Sequence, residues 1–151
     1  MPHESAAATE RSSLQTFAGR LTSCVARSRA EDGSEVPDAF QICEKLRAPL
    51  ATLMGGTGYR ALLSRALTIA RREHAWLRAV QVQAEGALVL PAEAAAPVTP
   101  QALAAGSAAL IATLLDLLAT FIGELLTVRL VREVWPDFSP DDTEPSNGDS
   151  P

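Results

Sequence analysis

From Ala108 to Val128 the chain is almost continuous Leu, Ile, Val, Phe and Ala, broken only by Thr113, Asp116, Thr120, Gly123, Glu124 and Thr127. Those exceptions step by three and four residues, the helical period, so they stack on one side of a helix. A helix apolar around most of its circumference has to be covered on most of it. Thr99-Pro100 predicts the start of this element, with Thr as cap and Pro in the first turn, and Trp135-Pro136 predicts its end. A helix from Pro100 to Val134 would be about 50 Å long at 1.5 Å per residue. Gly106 is the point where it could be interrupted.

Three amphipathic helices precede it. The first follows Ser12 or Ser13 as cap and turns Leu14, Phe17, Ala18, Leu21 and Val25 to one side. The second starts at Asp38 as cap, with Phe40, Cys43, Leu46, Leu50 and Leu53 on its apolar side. Pro49 falls inside that pattern and predicts a kink or a split near Arg47. Gly55 and Gly56 end the segment. Thr57 then caps a third helix running to about Glu73, with Tyr59, Leu62, Leu63, Ala66, Ile69 and Ala70 inward. From Leu77 the period changes to two, and after the Gly86 turn Ala87 to Leu90 forms a second short run. Residues 77–90 therefore read as a small β-hairpin, which must lean on the helices to persist. Pro91 to Val98 is a connector, and Glu31 to Pro37 a linker broken by Gly33.

The predicted fold is mainly α: three amphipathic helices around one long C-terminal helix, with a minor hairpin. Residues 1–10 read as a flexible arm and 11–136 as a single helical domain. Residues 137–151 hold Asp137, Asp141, Asp142, Glu144 and Asp149 with no base, and read as a disordered acidic tail. Met1 to Ser13 has no apolar core of the kind a signal peptide carries, so the cytoplasm is the expected compartment.

The polar stripe of the last helix admits three settings. It can face water. It can form a helix seam, in which Ala102, Gly106, Ala109 and Gly123 allow close approach, Thr113, Thr120 and Thr127 hydrogen-bond across, and arginines pair Asp116 and Glu124. Or the segment 108–131 can enter a bilayer. Eleven Leu, Ile, Val or Phe residues between Ala108 and Val128 contribute about −3 to −7 kcal/mol to insertion. The mid-span Asp, the Glu, the threonines and the glycine bring that sum to about zero or above. Protein cover is therefore favoured over lipid.

Charge adds one further feature. The net charge is −5, which argues against non-specific nucleic-acid binding, yet the third helix carries Arg60, Arg65, Arg71 and Arg72. Arg60, Ser64, Thr68, Arg71 and Arg72 share its polar side, with Arg65 at the edge. They are either a solvated face or a docking face for an acidic partner. Lys45 is the only lysine among thirteen basic residues, and alanine is abundant, so the arginine content also reflects overall composition. Gly56, Thr57, Gly58 and Arg60 could hold an anion on helix-start N–H groups. The simpler account of the same residues is a tight corner between two helices.

Little chemistry is written elsewhere. Cys24 and Cys43 sit in apolar patterns without metal-ligand spacing and read as core residues. His3 lies in the arm and His74 at a helix end. No nucleophile elbow, zinc motif or phosphate loop occurs, so neither metal nor cofactor is expected, and an enzyme is disfavoured.

The stretches CEKLRAPLATLMGGTGYRALLSRALTIA (Cys43 to Ala70), WLRAVQV (Trp76 to Val82) and LLATFIGELLTVRLVREVWP (Leu117 to Pro136) resemble a group of short bacterial helical proteins with no assigned activity. The resemblance implies a bacterial, non-secreted domain and carries no functional residue with it. The function expected from the residues is a small interaction or regulatory module that self-associates through its C-terminal helix. Membrane association through 108–131, or anion binding at Gly55 to Gly58, is the alternative.

Overall fold

The computed structural model describes residues 16–27, 37–84 and 86–136. The expected arm, most of the linker and the acidic tail lie outside them. In chain order the elements are α1 (helical through residues 16–27), α2 (Asp38–Ala70), a 3-10 turn (Ala75–Ala79), β1 (Gln81–Val82), β2 (Leu88–Val89), α3 (Ala92–Ala95), α4 (Pro100–Ile122) and α5 (Glu124–Val134).

One core joins them. Phe17, Ala18, Leu21 and Val25 of α1 meet Ile42, Leu46 and Leu50 of α2, and Leu63 and Leu67 further along it. From α4 come Leu110, Ile111, Leu114, Leu115 and Leu118, each fully buried. Burying a side chain of this size is worth about 1.5–3 kcal/mol. The mainly helical bundle predicted from the periodicities is the architecture found.

The helices break where glycine, not proline, stands. Pro49 lies inside α2 with helical backbone on both sides, and the only non-helical residue there is Gly55 (φ 83°, ψ 155°). Pro49 deprives the Lys45 carbonyl of its helical donor, and Lys45 is exposed, so water can take that place. The predicted kink or split near Arg47 is thus absent. The helix resumes at Gly56, which puts Thr57 inside it, and Asp38 is the first helical residue with Pro37 as its cap.

The final helix is also two helices. The break comes at Gly123 (φ 96°, ψ 152°), not at Gly106. Gly55 and Gly123 therefore share one backbone conformation, in a region that essentially only glycine reaches. Gly106 is helical and buried, and a Cβ there would lie 2.6 Å from Trp76 Cε2. It exists for close approach, and the Trp76 indole Nε1–H donates to the Ala102 carbonyl at 2.9 Å. The start of α4 is as predicted: Thr99 Oγ1 accepts from Ala102 N at 3.1 Å and Pro100 opens the first turn.

The hairpin is shorter than expected. Trp76, Leu77 and Val80 are buried together, a helical spacing that draws Ala75–Ala79 into the 3-10 turn. What remains pairs antiparallel, Gln81 with Val89 and Val82 with Leu88. The turn packs on α2: a Cβ on Gly86 would lie 3.0 Å from Tyr59 Cε2.

Trp76, just past the end of α2, meets the first turn of α4, and residues 69–74 flank the same cleft as residues 108–117. The second half of α2 and α4 are therefore antiparallel. That register carries Gly55 and Gly123 toward the same end of the bundle.

Candidate functional site

Two features stand out on this frame: an apolar corner where α4 turns into α5, and a cleft between α2 and α4.

The corner follows from the break. A continuous helix would have kept Leu125 on the face of Leu114 and Leu118, which are fully buried. The turn at Gly123 moves it out, and Leu125 is 82 % exposed, with Phe121 at 68 % and Leu126 at 48 %. Only Thr127 and Val131 of α5 are buried. The Gly123 carbonyl accepts both from Thr127 N at 3.1 Å and from Thr127 Oγ1 at 2.8 Å, which ties down the first turn of α5. Past the corner, Leu125, Val128, Arg129 and Arg132 line one outward depression.

The polar stripe does not survive as a single seam. Thr113 and Asp116 are half-buried, Thr120, Gly123 and Glu124 are exposed, and Thr127 is buried on α5. The hydroxyls do not bridge helices: Thr120 Oγ1 donates to the Asp116 carbonyl at 3.0 Å, and Thr127 turns to Gly123 in the same way. A threonine in a helix has its i−4 carbonyl within constant reach, and that local acceptor wins. Among the described residues, no arginine pairs with Asp116 or Glu124. On the surface of α2 an ion pair joins Arg47 to Glu44.

The cleft holds about 460 Å³. Much of its lining is alanine, from Ala70 of α2 and Ala108, Ala109 and Ala112 of α4. Small side chains on both helices leave the gap unfilled. Glu73, His74, Thr113 and Asp116 line it as well, so it brings together two polar residues from just past the end of α2 and two from α4 that lie far from them in sequence. Sequence reading singled out Asp116 as a costly acid, and His74 as a helix-end residue, without placing them together.

The residues considered for an anion are dispersed in role. Gly56 and Thr57 are exposed within the helix, and Gly58 accommodates Met54, whose Cβ would lie 3.3 Å from a Cβ placed on it. Arg60 reaches across to the hairpin and donates to the Ala84 carbonyl at 3.2 Å. Of the arginines considered for docking, Arg65 and Arg72 are exposed on the outer face. Arg71 is half-buried, with its Nε out of water and unpartnered among the described residues.

Cys43 is buried and Cys24 half-buried, and both are free. Burial pushes the Cys43 thiol up from 9.0 to about 12, against the lowering effect of its contact with Tyr59. Burial pushes the Tyr59 phenol up too, and its hydroxyl donates to the Cys43 carbonyl at 3.0 Å. These groups hold their protons firmly, as core members do. Among the described residues, no cluster of His, Cys, Asp and Glu is arranged to hold a metal ion.

Compared with protein-family models, curated proteins and solved structures, the chain has no match.

Proposed function

We propose that this chain is a small interaction module that pairs with a second copy of itself through the α4–α5 corner. The observation that carries the reading is the exposure of Phe121, Leu125 and Leu126 within six consecutive positions. Single exposed apolar residues are ordinary, whereas a contiguous group marks a contact surface. The charges on α5 support a second copy as the occupant. Glu124 opens the helix and Arg132 stands in its last turn, both exposed. A two-fold axis presents the same patch from both sides. Antiparallel pairing of α5 with its copy about Val128 sets Glu124 opposite the partner's Arg132 and covers Leu125 on each side. The seam is thus the outward face of α5 rather than the Thr113 to Thr127 stripe. A cytoplasmic setting suits two free cysteines.

The test is sedimentation velocity over a range of concentrations, with wild type beside Leu125→Arg. The expected result is a concentration-dependent dimer that the substitution converts to monomer while the helical circular dichroism and melting temperature hold. A wild type that stays monomeric at the highest concentration overturns the reading.

A second reading has its own observation. α4 is long and apolar enough to cross a membrane, and 39 % of its most apolar 18-residue window is buried in protein. Lipid contact would then cover the outward remainder of α4 and the corner. The break at Gly123 disfavours a straight span through 108–131. Recovery of the protein in a high-salt-resistant, detergent-released membrane fraction would favour this reading over pairing.

A further inference from the structure

We propose that the α2–α4 cleft is a binding site for an organic cation with a short alkyl body. Its volume, about 460 Å³, lies within the range of small-molecule sites, about 300–1,000 Å³. Its chemistry is divided in the way such a ligand requires. Ala70, Ala109 and Ala112, together with Ile69 and Leu117, give it an apolar lining. Glu73 comes from the turn just after α2 and Asp116 from α4, so two acidic residues from distant parts of the chain line the cleft. Neither has a hydrogen-bonding or ion-pair partner among the described residues, and Asp116 is withdrawn from water on part of its surface. A half-covered carboxylate without a donor gains from an ammonium ion brought alongside it.

The backbone adds to the same sign. α2 ends at Ala70, and the carbonyl end of a helix carries partial negative charge. Arg71 and Arg72 lie next in the chain, yet neither lines the cleft. Thr113 and the His74 imidazole line it too and offer further acceptors for an N–H. The alanines set the specificity by size: a linear alkyl chain fits over them, whereas a larger side chain in their place would fill the gap. This site does not depend on self-association, since both its walls belong to one chain.

The probe is n-hexylamine, titrated calorimetrically into the full-length protein, with hexanoate and hexanol as controls matched in shape. Hexylamine is expected to bind and to raise the melting temperature, as a ligand of the folded state must. Hexanoate and hexanol are expected to bind at least about tenfold more weakly, a loss of about 1.4 kcal/mol. Asp116→Asn and the surface variant Glu73→Gln should each weaken hexylamine several-fold, and Ala112→Leu should abolish its binding. Glu73 is exposed, so Glu73→Gln remains informative should another variant fold poorly. No binding of hexylamine, equal binding of the three probes, or indifference to both carboxylate substitutions overturns the proposal.

Discussion

Cys43 links burial to a measurable response. Unfolded, its thiol ionises near 9.0, whereas in the fold it keeps its proton to about 12. The folded state therefore binds that proton more tightly. Stability from this group is complete below pH 9 and declines as pH rises from about 9 toward about 12, at up to about 1.4 kcal/mol per pH unit. Urea midpoints measured across that window should fall, and less steeply in Cys43→Ala. Iodoacetamide on the native protein should label Cys24 first and reach Cys43 only in denaturant. Ser107 makes the opposite point. It is fully buried and its Oγ has no partner among the described residues. Ser107→Ala is expected to raise stability by about 1 kcal/mol in the same urea assay, because it removes an unsatisfied polar group. Cys43 as core was legible from its neighbours in sequence. The Ser107 hydroxyl was not, because its isolation depends on what α4 packs against.

Local rules decided some elements and not others: the cap expected at Asp38 falls on Pro37, and the kink expected at Pro49 is absent. Thr99-Pro100 starts α4, as its side chain and ring dictate. Local rules failed where two equivalent signals gave different outcomes. Gly106 and Gly123 both stand in apolar helical sequence, and only the packing of Trp76 shows which one is helical. The threonine stripe failed in the same way, since periodicity places side chains on a face without saying what that face meets. Gly55 and Gly56 allow a sharp comparison. Gly55 has φ 83°, whereas Gly56 is helical with open space where a Cβ would go. Gly55→Ala should destabilise by about 1–3 kcal/mol, while Gly56→Ala should stabilise by about 0.5–1 kcal/mol, both read from urea denaturation. Two adjacent glycines would then respond with opposite signs. Gly123→Ala should behave as Gly55→Ala does, and Gly106→Ala should cost about 1–3 kcal/mol through overpacking against Trp76.

At the scale of the whole molecule, the mainly helical class was readable from apolar spacing alone. The two surface features were not. The corner arises because the chain turns after Ile122, and the cleft arises because alanines from two separate helices face each other. The cleft is a product of the antiparallel docking of α4 on α2, which no local pattern encodes. That docking also distributes the two tryptophans. Trp76 is buried and pinned to the base of α4, while Trp135 stands half-covered where α5 ends. Intrinsic fluorescence therefore watches two places at once. If the last helix lifts away before the body melts, emission from Trp135 will shift to the red while that of Trp76 holds, and Trp135→Phe will erase the early step. A single shift shared by both indoles would mean that the corner and the core let go together.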